Sequence, residues 1–359
     1  SRGVVSTCSY EARRFGVHSA MASAEARRLC PQAIWTHGHF DRYREVSAQV
    51  MAILADETPR VERVSIDEAF IDITPGRFAP EDPLLVARRI SDRVAALGVT
   101  CSIGVGCNKT VAKIASERDK PFGLTIVRPG TEQRFLAALP VSAMSGIGRS
   151  AEERLRRMRI YTLGELSRAP ESTLASIFGV NGERMRQRAL GLEISEVTSL
   201  DEEREVKSVS NERTFAKDLT EREDIEAAIA LLGESVGRRL RRQGLTGGTV
   251  TLKLKYSYGS GRTAQRRLPH PTDDENIFVA VALELLDNIW QEGMHVRLAG
   301  IGMSDFNHQG GIQTDLFCEV DDRGAQSSER RGLSVAIDAV RDKFGDTALS
   351  FGRQSRFND

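Results

Sequence analysis

Ser65-Ile66-Asp67-Glu68-Ala69-Phe70 sets two adjacent carboxylates between two apolar runs, Val61 to Ile66 and Ala69 to Ile73. The runs mix Val, Ile and Phe with polar residues in partial alternation, which is the pattern of two short strands. The spacing predicts a tight connection with Asp67 and Glu68 at its tip, on the rim of a sheet. Two carboxylates so close repel one another, and both stay ionised only beside positive charge. A hard divalent ion such as Mg²⁺ supplies it, taking one or two carboxylates and completing its shell with water and phosphate oxygens. Taken alone the pair reads as a solvated acidic tip. What surrounds it in the chain makes it a candidate metal site.

The chain has 359 residues, enough for two to four domains of about 100–200 residues each. A hydrophobic content of 40% with 28% charged residues suits a soluble, charge-rich protein. No apolar run approaches the roughly 20 residues of a membrane span. The first residue is Ser1, and the chain enters at once on the strand-like Gly3 to Thr7 without a signal-peptide pattern, so the native N-terminus is expected upstream. The five cysteines, Cys8, Cys30, Cys101, Cys107 and Cys318, form no C-x-x-C pair. They read as reduced thiols of a cytoplasmic protein, neither a zinc site nor a disulfide framework.

Lys+Arg and Asp+Glu both number 50, so the net charge is zero, but the distribution is uneven. Arg238, Arg239, Arg241, Arg242, Lys253, Lys255, Arg262, Arg266 and Arg267 are nine basic residues in a span without an acid. A one-sided block of this kind is an electrostatic footprint for a polyanion.

Taken in order, Tyr10 to Gly16 predicts a short helix closed by glycine, with Tyr10 and Arg13 on one face. They are either solvated or part of a lid that touches a triphosphate. A second short helix is expected from Ala20 to Leu29, and a third near Tyr43 to Leu54, ahead of the acidic hairpin. A helix over Leu84 to Leu97, a strand over Thr100 to Gly106, a helix over Asn108 to Arg118 and a strand over Leu124 to Val127 follow. That order gives an α+β layer. Lys120 stands in the loop after the second of these helices and reads either as a solvated lysine or as a contact to phosphates.

Ser145-Gly146-Ile147-Gly148-Arg149-Ser150 opens a helical region that runs to about Ile194. Ser150 and Glu153 fit a capping box. Gly146 and Gly148 free the backbone so that N–H groups ahead of the helix can hold a phosphate. Phe178 to Gly182 is a weaker second copy. The pair reads either as plain helical corners or as hairpins that grip DNA backbone without reading sequence.

After the charged stretch Glu196 to Lys207 a separate α+β unit is expected. Its strands are Ser208 to Thr214, Thr249 to Tyr258 and Val296 to Phe306, and its helices are Asp224 to Arg241 and Glu275 to Gln291. In the middle strand Lys253 and Lys255 alternate with apolar residues and give a basic face. Gln313-Thr314-Asp315-Leu316-Phe317 stands in a polar stretch, and Ala336 to Phe344 suggests a short amphipathic helix.

Four separated motifs together resemble the Y-family translesion DNA polymerases: Ser6-Thr7 with Tyr10 to Val17; Ser65 to Ile73; Ala112 to Ser116 with Lys120-Pro121; and Gly146-Ile147-Gly148. They occur in the family's order, and the similarity covers nearly the whole chain. The resemblance implies an α+β, multidomain right hand. Its parts would be fingers (1–39, partial), a ferredoxin-like palm (40–128, without its first strand) and a helical thumb with helix-hairpin-helix (129–196). A tether (197–205), a little finger (206–312), and a clamp-binding peptide with a C-terminal tail (313–359) would follow.

The resemblance further implies template-directed, error-prone addition of dNTPs to a primer 3′-hydroxyl, with two Mg²⁺ ions about 3.5–4 Å apart. Asp67 and Glu68 would be catalytic metal ligands. Thr7, Tyr10, Arg13 and Lys120 would contact the nucleotide, and Gly146, Gly148, Arg149, Lys253 and Lys255 the DNA. Gln313, Asp315, Leu316 and Phe317 would dock on the replication sliding clamp. The enzyme would be a monomer working on primer-template DNA.

The family's first palm strand, with a third carboxylate and an aromatic gate against ribose, lies ahead of Ser1. The chain as given is therefore expected to be nearly inactive, as a fragment of an active enzyme. A non-catalytic DNA- and clamp-binding relative is the alternative. A palm-type nucleotide cyclase is a poorer one, because it leaves the glycine hairpin and the basic block unused.

Overall fold

Hydrophobic patterning closes this chain around several small cores rather than one. The computed structural model describes residues 2–76, 81–200, 202, 205–306, 323–345 and 348–349. Residues 35–203 form one compact unit; residues 1–34 with 204–359 form the other. Among the described residues no helix is long and apolar enough to cross a membrane.

In residues 1–34, helix α1 (Tyr10–Arg13) starts at Ser9, whose hydroxyl accepts from the Ala12 N–H at 3.4 Å. It is shorter than the predicted Tyr10–Gly16 helix. Beyond Arg13 the chain turns through Gly16, at φ +84°, so that Val17 can join Val5, Met21, Ala26 and Cys30 in a small core. Helix α2 (Ser23–Leu29) covers that core. Arg2 pairs with Asp218 at 2.5 Å, within the same unit.

The second unit opens with α3 (Phe40–Glu57), followed by strands β1 (Val61–Arg63) and β2 (Ala69–Ile71), which pair antiparallel with Val61 opposite Ile71. Helix α4 (Pro83–Ala96) has Asp82 as its cap, accepting from the Leu84 N–H at 2.8 Å, and Pro83 in its first turn. Val86, Ile90 and Val94 of α4 pack on Ile53 of α3. Strand β3 (Ile103–Val105), helix α5 (Lys109–Arg118) and strand β4 (Leu124–Ile126) form a parallel strand pair with its crossover helix. Val111, Ile114 and Ala115 of α5 continue into the core of the helical segment that follows. That segment holds α6 (Glu132–Ala137), α7 (Arg149–Arg157), α8 (Leu163–Arg168), α9 (Glu171–Phe178) and α10 (Gly182–Leu190).

One local expectation changes here. The Ser150–Glu153 capping box does not form: α7 begins two residues earlier, Gly148 is its cap without a side-chain bond, and Glu153 instead takes Arg149 at 3.1 Å. The box occurs at α8, where Thr162 and Glu165 satisfy each other's backbone N–H.

Glu57 ends α3 with its side chain only 6% exposed, held by Arg89 through Nε at 3.0 Å and Nη2 at 2.6 Å. The Arg89 hydrogen bonds outweigh burial and hold the Glu57 carboxyl below its ordinary 4.5. Its folded value is depressed, so its stabilisation is full above pH 4.5 and lost as pH falls through the folded value. Glu57→Gln is therefore expected to lower the urea midpoint at pH 7, with the gap to wild type closing below pH 4.5. A gap of constant size across that range would rule the pair out as the acid-sensitive contact.

In the C-terminal part, β5 (Ser208–Leu219), α11 (Arg222–Gln243), β6 (Gly247–Tyr256), β7 (Gly261–Thr272), α12 (Glu275–Ile289) and β8 (Val296–Phe306) build an antiparallel sheet of order β5-β8-β6-β7. Ile225, Ile229, Val236 and Phe278 from the two helices pack on Val250, Leu252, Leu254 and Ile301. Thr251, Lys253 and Lys255 point to the opposite face. Strand β7 was not expected from the sequence. It is an edge strand, which tolerates Pro269 and Pro271, and its side chains are mostly exposed, so it carries no apolar alternation. The last helix, α13 (Arg323–Phe344), starts well before the expected Ala336. The motif Gln313, Asp315, Leu316 and Phe317 lies outside the described residues.

Candidate active site

The β1–β2 turn is pinned by its own backbone. The Val64 and Ser65 N–H groups both donate to the Glu68 carbonyl, at 2.9 and 3.1 Å. The Ser65 hydroxyl donates to Asp67 Oδ1 at 2.6 Å, and Arg63 Nε donates to the Ser65 carbonyl at 3.1 Å. These bonds fix Asp67 and Glu68 at an exposed tip, where the two runs of apolar residues lead.

Helix α5 brings positive charge to the tip. Lys113 Nζ is ion-paired with Glu68, and the same ammonium reaches Glu117 at 2.9 Å. Lys120, in the loop beyond α5, meets Glu117 at 2.7 Å. Burial pulls the Lys113 ammonium down, but hydrogen bonds to Glu68 and Glu117 more than offset it, and the group is held above its ordinary value. For Glu117, burial pushes up and the two lysines pull down further, so the carboxyl sits below 4.5. Lys113 lies within the motif Ala112 to Ser116, and the motif alone assigns it no role. Its spacing from Glu117 and Lys120, one helical face, was the available signal.

The donor set fits a divalent cation. Two exposed carboxylates offer hard oxygen ligands, and an ammonium already stands against one of them as a stand-in cation. Asp67 and Glu68 would hold the ion. Among the described residues no group of three or more His, Cys, Asp or Glu side chains that could hold a metal gathers anywhere, so this site offers two protein carboxylates.

Tyr10 and Arg13 share a face, with the Arg13 guanidinium 5.8 Å from the Tyr10 ring centre; both are exposed, as is Thr7 upstream. They belong to the unit formed by residues 1–34 with 204–359, whereas Asp67, Glu68 and Lys120 belong to the other.

The glycine hairpin ahead of α7 needs Gly146 at φ +97°, buries Ile147, and leaves Arg149 exposed. Arg188 of α10 braces it, donating through Nη1 to the Ser145 carbonyl at 2.8 Å. The second copy is a single 3-10 turn, Gly179–Asn181, with Val180 fully exposed.

The basic block is less one-sided in space than in sequence. Lys253 reaches Glu212 at 2.8 Å across Gly300, whose missing side chain leaves the room: a Cβ there would lie 2.6 Å from Glu212 Cγ. Arg238 and Arg242 pair with Asp342, Arg241 with Asp338 and Glu275, and Arg266 with Glu284. Acids from distant segments neutralise much of the expected footprint. Lys255 stays exposed on the helix-free face of the sheet.

An acidic strand-turn flanked by helix-borne lysines, a glycine-hairpin helical segment and a four-stranded antiparallel sheet backed by helices together make the architecture of a Y-family DNA polymerase. The fold of a Y-family DNA polymerase chimera of Dbh and Dpo4 matches with a TM-score of 0.72, at 24% identity over 85% of this chain and 88% of that one. Residues 1–117 match the impB/mucB/samB family and residues 206–316 match that family's C-terminal domain. The DNA polymerase IV of Lactococcus lactis subsp. cremoris is 40% identical over 310 residues, 86% of this chain and 84% of that protein. That of Streptococcus pneumoniae serotype 4 is 39% identical over 306 residues, 85% of this chain and 86% of its own length. That of Dehalococcoides mccartyi is 35% identical over 360 residues, 100% of this chain and 90% of its own. The chain belongs to the impB/mucB/samB family of Y-family DNA polymerases, and the family relationship implies dependence on a divalent metal.

Proposed function

We propose that this chain is a template-directed DNA polymerase of the error-prone translesion type, with its chemistry at Asp67 and Glu68. The observation that carries the reading is the pinned hairpin tip with the Lys113 ammonium held against Glu68. Two Mg²⁺ ions bound there would lower the pKa of the primer hydroxyl and offset charge on the leaving pyrophosphate. Asp67 and Glu68 would hold the ions, and the turn's backbone bonds keep both carboxylates oriented. Lys120, Arg13 and Tyr10 orient the triphosphate, since positioning and electrostatics supply most of the catalysis in phosphoryl transfer. Gly146 and Gly148 present backbone N–H groups to a DNA phosphate, with Arg149 beside them. Template-matched insertion on primed DNA, lost when both carboxylates are neutralised, tests the assignment. The non-catalytic alternative is not favoured, because the family match over residues 1–117 spans the carboxylate hairpin.

Lys255 on the open face of the sheet is the freer phosphate contact, because Glu212 already neutralises Lys253. Lys255→Ala is expected to lower the magnitude of the negative slope of log K against log salt by about 0.9, and Lys253→Ala by less. An unchanged slope for Lys255→Ala would leave that lysine merely solvated.

Leu316 and Phe317 are adjacent large apolar residues in a polar stretch, with Gln313 and Asp315 beside them. The reading is a short peptide that docks on the sliding clamp, filling an apolar pocket with affinity of micromolar order. The enzyme would otherwise work as a monomer. Leu316→Ala with Phe317→Ala is expected to abolish stimulation by the cognate clamp and leave clamp-free extension intact. Equal loss of clamp-free activity would make the pair structural.

A further inference from the structure

Helix α5 and the loop after it carry a chain of alternating charge. Glu68 holds Lys113, and Glu117 Oε1 takes both Lys113 at 2.9 Å and Lys120 at 2.7 Å. Lys113 is thus shared between a proposed metal ligand and a carboxylate one helical turn along its own helix. Each carboxylate can keep it without the other. An ammonium is a compact charge on a flexible four-carbon stem, so it can swing between two such partners. It cannot share one carboxylate with a divalent cation without like-charge repulsion.

We propose that Lys113 is a positioning residue that holds the cation place at Glu68 in the metal-free enzyme and withdraws to Glu117 when a divalent ion binds. Lys113 is then left with Glu117 Oε1 alone, the oxygen it already shares with Lys120, so the loss of Glu68 is felt at Lys120 through that one atom. Metal loading and nucleotide contact are then linked through Glu117. The inference rests on the reading of Asp67 and Glu68 as metal ligands.

The test is Mn²⁺ binding to the protein alone, without DNA or nucleotide, followed by electron paramagnetic resonance. Lys113→Met keeps the stem and removes the competing charge. It is expected to lower the Mn²⁺ Kd about two- to fivefold, the scale of a partly exposed ion pair. Glu117→Gln removes the alternative partner, leaves Lys113 on Glu68, and is expected to raise Kd by a similar factor. The double variant is expected to match Lys113→Met alone, because Glu117 acts only through Lys113. Lys113→Gln repeats the first measurement with a different side chain, and circular dichroism checks that each variant is folded. Weaker or unchanged Mn²⁺ binding in both Lys113 variants would overturn the proposal. So would a Glu117→Gln effect that persists in the Lys113→Met background, since Glu117 would then act by its own field. If Asp67→Asn with Glu68→Gln leaves wild-type Mn²⁺ binding unchanged, the metal-ligand reading itself fails, which distinguishes the two failures.

Discussion

Asp67→Ala or Glu68→Ala is expected to cut single-turnover primer extension at least about 10²-fold, because a lost metal ligand removes several kcal/mol of transition-state stabilisation. The measurement belongs on the polypeptide expressed from its complete reading frame. The loss should fall on the chemical step. Both side chains are exposed at a turn that backbone and Ser65 bonds hold, so truncating either leaves no cavity and the fold should survive. An unchanged melting temperature with a collapsed rate is the expected signature. Of the two, Glu68 carries the second effect: its removal strips Lys113 of one of its two partners. Near-normal extension by both variants would place the chemistry elsewhere.

The second large effect is expected at Gly104. Helix α5 lies directly on β3 there: a Cβ at Gly104 would sit 2.0 Å from the Ala112 carbonyl oxygen and 2.3 Å from the Ser116 nitrogen. Both contacts are backbone, so no rotamer change relieves them. Gly104→Ala forces α5 off the strand, and overpacking of this kind costs about 3 kcal/mol. Because α5 carries Lys113 and leads into Lys120, the same displacement should lower the extension rate in the molecules that remain folded. Urea unfolding with parallel primer extension reads both. A midpoint within error of wild type would mean that helix and strand can separate without cost.

The acidic tip was legible because two signals coincided locally. Apolar runs of strand length flank the carboxylates, and the turn they leave is too short for anything but a tip. Helix α5 was legible for the same reason, and Asn108 is its cap, accepting from the Val111 N–H at 3.0 Å. Strand β7 was hidden because an edge strand with Pro269, Pro271 and several arginines has no buried face to write an alternation into its sequence. The arginines of α11 misled for a different reason. Their acid partners, Asp338 and Asp342, lie about a hundred positions away and Glu212 reaches across the intervening strand β8 to meet Lys253, so no sequence window contains the neutralising charge. Lys113 sits between the two cases. Its helical neighbours Glu117 and Lys120 were readable from spacing, but its pairing with Glu68, 45 positions back, exists only in the fold.

Insertion of single nucleotides opposite each of the four template bases, by the polypeptide expressed from its complete reading frame and by its Asp67→Asn, Glu68→Gln variant, tests the central claim most directly. Template-matched insertion by the former, in the presence of a divalent metal and lost in the latter, is the expected result. Insertion that ignores the template base, or that survives neutralisation of both carboxylates, would contradict it.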